Sequence, residues 1–469
     1  MNRPLLELNP VALKELRQLV RSKIVLWGLV LFPALQFVAG LCAIASQVSD
    51  KSPAELAFGK GCGTPPFGVY TVILCIAAVF GIPVFTAVKT ALDASRERMS
   101  LTFITALTPA DIVGGKMTAA AVLMLIAAAV STPFFALAYL LRGVPLTAVL
   151  LAPATVFAGG MLHLAVLMPL ACQPVSTVRR VIMIVIVALV LLLFGGPIFL
   201  MIEASHHGGF AVPGDAPSAW TLALAGLFLY ACMLALSRAK AAELLSAPCT
   251  DCQRSLRRLE LGALALSLPF LAEPKLVDLW SCGFLALAAL DGYQAAFRAS
   301  GLPRPVIGRA PAVFWKRLLA FPFATGKGPS LAASWLIALT AICALLVNSH
   351  APRHPGPVLA FLILTGFALI VGGIAQLCRA GEKTRRMLST LTFVWLLAAN
   401  LLSLLFIAVG AITKETAEAL PGCILGLFEP APQALAFASG NSIALTLAAA
   451  APLVSLAIIV ADFRKFRQP

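Results

Sequence analysis

Residues 96–117 read RERMSLTFITALTPADIVGGKM, a polar interval between two long apolar stretches. It holds two arginines, a glutamate, an aspartate, a lysine and a proline in a chain that is 60% hydrophobic and only 12% charged. A soluble domain carries about a quarter charged residues, so half that share, with a mean hydropathy of +0.95, places the chain in a membrane. There the interval is a loop between two spans.

Outward from that loop, about ten to twelve stretches are long and apolar enough to cross a bilayer. About twenty residues do so as a helix, which satisfies every backbone polar group internally. The clear ones are 24–46, 67–90, 117–141, 146–171, 181–203 and 219–237, then 330–348, 356–378, 388–412 and 442–463. Between the two groups, a short stretch at 259–272 and another at 276–297 read as a helical hairpin. The fold class expected is therefore all-α, a polytopic integral membrane protein with amphipathic interface helices.

With twelve spans and the amino terminus inside, 29 of the 35 lysines and arginines fall in inner segments and 6 in outer ones. That is the positive-inside bias, and it puts both termini in the cytoplasm of a multi-pass protein of the cell inner (plasma) membrane. It also accounts for the net charge of +15 without nucleic acid, because the basic residues anchor topology against anionic lipid of the bilayer. Leu5 to Lys23 is charged throughout and has no small-residue cleavage site, so it is not read as a signal peptide.

Residues 1–23 form an amphipathic interface helix instead. Asn9 caps it with Pro10 at the first position. Val11, Leu13, Leu16, Leu19 and Val20 fall near one face, and Lys14, Arg17 and Arg21 largely off it, the pattern of a helix with its basic side toward headgroups. PAVFWKRLLAFPF (311–323) is similar and again precedes two spans, followed by GEKTRRMLSTLTF (381–393) where the first half has SRERMSLTFIT (95–105). Two readings fit: a degenerate internal repeat whose second copy lacks two spans, or coincidence of short motifs.

Chemical motifs are sparse. GGKMT (114–118) and ATGKGPS (324–330) contain Gly-Lys but not a phosphate-cradling loop, so ATP is not expected on this chain. Cys249 and Cys252 stand alone in an inner loop and read as surface thiols, with no metal site, since zinc needs about four ligands. Cys62 and Cys423 both fall in outer loops, where an oxidising compartment would permit a pair. His206 and His207 read as solvated loop residues. Ionisable residues inside spans are costly and are functional candidates: His163, most simply a neutral side chain bonded to a carbonyl, Glu203 and Asp278 near water, and Asp291 near the inner headgroups. No convergent polar cluster at one membrane depth is evident, which argues against an enzyme, and no catalytic or cofactor-binding residue is assigned.

The interval 96–117 divides at Thr108. Thr108-Pro109-Ala110-Asp111 is a helix start, with threonine as cap, proline first and aspartate third. The helix it launches runs on into the third span. Before it, Glu97 to Leu107 reads as a separate helix of roughly 16 Å, capped by Ser95, with Met99, Phe103, Ala106 and Leu107 on one face and Arg98, Thr102 and Thr105 beside it. Such a helix docks on a cytoplasmic partner or rests on lipid.

Here the chain resembles a family. Glu97-Arg98, Thr102, Leu107, Thr108-Pro109, Ile112 and Gly115-Lys116 look like the cytoplasmic segment of ABC-2 type transporter permeases, and NPVALKELRQ (9–18) is similar to their amino-terminal interface helix. Met99 departs from the glycine usual there, and the acidic residue common near Phe103 is absent. The resemblance spans roughly residues 1–240. It implies an ABC exporter permease with no enzymatic activity of its own, a six-span unit at 24–240 and a coupling helix at 96–107 that meets a separate ATPase subunit. Arg96, Glu97, Arg98, Thr102, Phe103, Leu107 and Pro109 would contact that ATPase, Lys14, Glu15 and Arg17 would belong to the interface helix, and ATP-Mg would bind the partner. Residues 241–329 would flank the hairpin, and 330–469 would form a four-span membrane unit. The second half of the path comes either from a second permease or from this chain. An ATPase-independent transporter or a membrane-embedded enzyme is the alternative, and a scaffold for other subunits is a third class.

Overall fold

A computed structural model of the chain describes residues 9–50, 62–97, 108–173, 176–189, 219–245, 252–272, 274–296, 313–324, 326–347 and 442–465, with isolated positions between 362 and 384. All regular structure among them is helical. Five helices are long and apolar enough to cross a membrane: Val25–Ser46, Thr64–Asp93, Pro109–Leu140, Leu146–Ala171 and Lys327–Leu346. The chain is an all-α polytopic membrane protein. It divides into two compact units, one of residues 1–213 with 230–247, the other of 214–229 with 248–469.

The first unit begins with α1 (Pro10–Arg21), ended by Ser22 in an extended conformation, and α2 (Lys23–Asp50). Leu26, Trp27, Val30, Leu31, Leu35, Phe37, Val38 and Leu41 of α2 are each about half exposed or more, the side that hydrocarbon covers in a membrane. The second span is α3 (Thr64–Cys75), a π-helical segment (Ile76–Gly81) and α4 (Ile82–Glu97). The π register follows from Pro83. Proline has no N–H for the turn before it, and the N–H of Ile82 reaches back to Ala77 rather than one residue closer. α5 (Pro109–Leu140) and α6 (Leu146–Ala171) complete the core. α5 has 32 residues, roughly 48 Å at 1.5 Å each, so it exceeds a hydrocarbon layer of about 30 Å. Its first turns are thus free to do something other than span.

The core packs Phe67, Tyr70, Leu74, Met124, Phe135, Leu164 and Met168 together. Gln36 and Ser131, both fully buried, join α2 to α5 through a 2.9 Å hydrogen bond from Gln36 Nε2, the interhelical polar contact that hydrocarbon favours. α6 approaches the π segment closely at Gly160, where a Cβ would stand 2.5 Å from the Ala78 carbonyl oxygen.

In the second unit, α7 (Ala219–Leu245) contributes its first residues and α9 is preceded by α8 (Cys252–Ser267) with a 3₁₀ extension (Leu268–Ala272); α9 is Pro274–Ala296. The expected short span at 259–272 is thus the second half of a longer element that starts at Cys252 and includes charged residues. α10 (Phe314–Ala320), a 3₁₀ turn (Phe321–Phe323), α11 (Lys327–Val347) and α12 (Ser442–Lys465) follow. α9 and α11 meet through small residues: Ala288, Ala289, Ala295 and Ala296 on one, Ala338 and Ala341 on the other, with Ser334 Oγ donating to the Ala288 carbonyl at 2.8 Å. The stretches 181–203, 356–378 and 388–412 lie wholly or mostly outside the described residues.

The Gly160 contact yields a test. Gly160→Val, which forces a side chain onto backbone, is expected to cost about 1–3 kcal/mol. Gly159→Ala, whose Cβ meets only Val79 Cγ2 at 3.7 Å, is expected to be near neutral. Thermal melts of the detergent-purified protein compare the two, and equal midpoints would refute the contact.

Candidate functional site

The site grows from the start of α5. Thr108 and Asp111 form a reciprocal capping box there: Asp111 N–H donates to Thr108 Oγ1, and Thr108 N–H to Asp111 Oδ2, each at 3.2 Å. α1 lies against these first turns. Asn9 caps α1 by accepting from the Val11 N–H at 3.0 Å, and its Nδ2 donates to the Asp111 carbonyl at 2.6 Å. One side chain therefore ties the beginnings of two helices. Farther along, Gly115 admits α1 closely, since a Cβ would stand 2.7 Å from Val11 Cβ and 2.9 Å from the Ala12 nitrogen. Gly114 sits against the Arg238 guanidinium, whose Nε donates to the Ala110 carbonyl at 3.2 Å.

At the next residue an ion cluster closes the contact. Lys116 Nζ donates to Glu15 Oε1 at 2.8 Å and to Asp93 Oδ2 at 2.6 Å. Lys89 Nζ donates to Glu15 Oε2 at 2.6 Å and to Gln18 Oε1 at 3.2 Å. The side chains of Lys116 and Glu15 are only 6% and 9% exposed; Lys89 and Asp93, four residues apart on α4, stand at the water edge. Two ammonium groups and two carboxylates balance, as burial of charge requires. Burial by itself would push the Glu15 carboxyl up, but Lys116 and then Lys89 outweigh it and hold the carboxyl below the usual carboxylate value.

This geometry changes the reading of the interface helix. The face that meets the bundle is Ala12, Glu15 and Leu19, all buried, whereas Leu13 and Val20 are exposed. The leucine stripe therefore does not define the docked side; a carboxylate at its edge does. Lys14 and Arg17 are exposed, away from the cluster. Pro109 occupies the first turn of α5 beneath its cap. Arg96 and Glu97 are the last residues of α4, so Ser95 is inside that helix and does not cap a new one. Arg98, Thr102, Phe103 and Leu107 lie outside the described residues, as does most of the expected coupling helix. Sequence reasoning missed Lys89 and Asp93, and took Lys116 only as part of the Gly115-Lys116 motif, not as an ion-pair partner. The signal was present as a Lys-x-x-x-Asp pair at a span end and a lysine after two glycines.

The second unit holds a separate polar group. Arg257, fully buried, donates through Nη1 to Glu260 Oε2 and to Asp291 Oδ2, both at 2.5 Å. Asp291 is therefore buried in the helix packing, and charged groups do converge at one place in the second unit. Gln253, one turn before Arg257, donates to Ser330 Oγ at 2.8 Å. In the first unit His163 is buried, and its Nε2 has no hydrogen-bond partner among the described residues, contrary to the carbonyl contact expected for it. Glu203, the two adjacent histidines, Cys249 and Cys423 lie outside the described residues.

No family model, curated protein or solved structure matches the chain.

Breaking the cluster from one side leaves a buried charge, so Lys116→Met and Glu15→Gln are each expected to lose about 3–5 kcal/mol. A double-mutant cycle between them should return a coupling of about 1–3 kcal/mol. Because the folded Glu15 value is below the unfolded one, its contribution is full above about pH 5 and is lost as pH falls through the carboxylate range. Melting points of wild type should therefore fall more between pH 7 and pH 4 than those of Glu15→Gln. Parallel profiles would remove the cluster from the account.

Proposed function

We propose that this chain is the membrane-embedded permease subunit of an ABC-2 type ABC transporter, an exporter driven by ATP hydrolysis on a separate ATPase subunit. The observation that carries this reading is the clamp at Lys116. It binds α1, the end of α4 and the start of α5 to one another, and those two helix ends flank residues 98–107. A partner that moves residues 98–107 would move three helices together, because both ends of that segment are held by the same ammonium group. In this reading Arg96, Glu97, Arg98, Thr102, Phe103, Leu107 and Pro109 meet the ATPase, and the site sits at the inner face of the cell inner membrane with both termini in the cytoplasm. ATP and Mg²⁺ act on the partner chain, and the translocation path is completed by a second permease or by the second unit.

A second reading has one observation in its favour. The buried Arg257, Glu260 and Asp291 group is the kind of convergent charged cluster that an ATPase-independent carrier or a membrane-embedded enzyme uses. Under the permease reading the cluster only holds α8 to α9.

Co-purification separates the readings. Arg98→Glu with Phe103→Ala is expected to reduce recovery of a P-loop ATPase from membranes at least ten-fold while membrane insertion is retained. Undiminished recovery, or no ATPase recovered with wild type, would overturn the permease reading. Loss of transport on Asp291→Asn with normal stability would favour the second.

A further inference from the structure

We infer that the outer face of α1 is a docking surface for the headgroups of anionic phospholipid. The argument starts from how α1 is rotated. At 100° per residue, Ala12, Glu15 and Leu19 share the face that is buried against the bundle, and Lys14, Arg17 and Arg21 fall on the opposite side, all three exposed. Glu15 is the only carboxylate of α1, and the ion cluster turns it inward. The rotation therefore leaves Arg17 and Arg21 on an outer surface with no carboxylate of α1 beside them. Arg17 and Arg21 have no ion pair among the described residues, and an open groove runs beside them, lined by Pro10, Leu13, Lys14, Arg17, Gln18 and Arg21.

What fits such a surface must be anionic along one edge and apolar along the next. Leu13 and Val20, 40% and 79% exposed, lie between the basic stripe and the docked face. Beyond the corner at Ser22 come exposed Lys23 and then Leu26, Trp27, Val30 and Leu31 on the side of α2 that hydrocarbon covers. A phospholipid satisfies both edges, its phosphate against the guanidinium groups and its chains beside α2. Arginine suits this because its planar fork meets two phosphate oxygens at once, and an interfacial helix with a basic side and apolar flank binds anionic lipid more tightly than neutral lipid. An acidic protein segment would meet the arginines but leave the apolar edge uncovered.

The docking surface is independent of any ATPase, so its test is independent too. Full-length protein in detergent is titrated with phosphatidylglycerol or phosphatidylcholine, and retained lipid is counted by native mass spectrometry. Wild type should retain phosphatidylglycerol preferentially, with the preference weakening as salt rises. Arg17→Gln with Arg21→Gln should weaken that component about thirty-fold, and each single change about five-fold, should the pair fail to fold. Arg17→Lys with Arg21→Lys should keep most of it, and Arg179→Gln with Arg258→Gln, an equal loss of charge at two scattered exposed arginines, should leave it unchanged. Equal retention of the two lipids by wild type, undiminished phosphatidylglycerol binding in the glutamine pair, or an equal loss in the scattered control would overturn the inference. So would an acidic protein that binds the arginines while phosphatidylglycerol retention stays the same.

Discussion

The ammonium group of Lys116 sits almost wholly out of water near the start of a helix that goes on to span the membrane. A charge in that position is tolerable only with carboxylates at hydrogen-bond distance, and α5 itself offers none on that side. One comes from α4, as Asp93, and the other from α1, as Glu15. The requirement to neutralise one lysine thus dictates where a twelve-residue amphipathic helix must lie and which way it must be turned. Gly115 is the steric half of the same constraint, because any side chain there would hold α1 away and stretch the Glu15 contact. Lys89 then takes the second Glu15 oxygen, so the carboxylate serves both lysines and fixes α1 against α4 as well.

A related arrangement occurs in the second unit, which also begins a spanning helix with a Gly-Lys segment. Gly326, at φ 147, turns the chain into α11, and the N–H of Gly328 donates to Asp462 Oδ2 of α12 at 2.8 Å. A Cβ on Gly328 would meet Asp462 Cβ at 2.5 Å. In the second unit the glycine after Lys327 is thus a seat for an acidic side chain of another helix, whereas Gly114 and Gly115 of the first unit admit the Arg238 guanidinium and α1. The orphan N–H of Gly328, at the beginning of α11, takes a carboxylate from the protein itself.

Polar contacts elsewhere follow the same economy of small residues and short reach. Gln36 reaches Ser131 inside the first unit, and Ser334 reaches a backbone carbonyl inside the second, both between helices that approach closely. The π segment beside Gly160 is a different device. Pro83 withholds a donor, the ladder shifts by one residue, and α6 lies against the altered turn through a glycine. Close-packed contacts of this kind transmit displacement along a bundle.

Much of this was written in local sequence. Length, apolarity and charge distribution determine that the chain is helical and embedded in a membrane, since only helices satisfy the backbone over twenty residues of hydrocarbon. The caps at Asn9 and Thr108 are equally local, because a cap depends on residues within one turn. Local pattern failed where partners are distant. Hydrophobic periodicity ranks Glu15 as a solvent residue, and Lys116 is more than a hundred positions away from it, so no window contains both. Arg257 and Asp291 are hidden from each other in the same way, by 34 residues of chain. The amino-acid sequence by itself determined that α1 would be an amphipathic helix at the entrance to a membrane bundle. Only the tertiary structure decided which face of α1 is inside, because that choice is made by the electrostatics of a lysine on another helix.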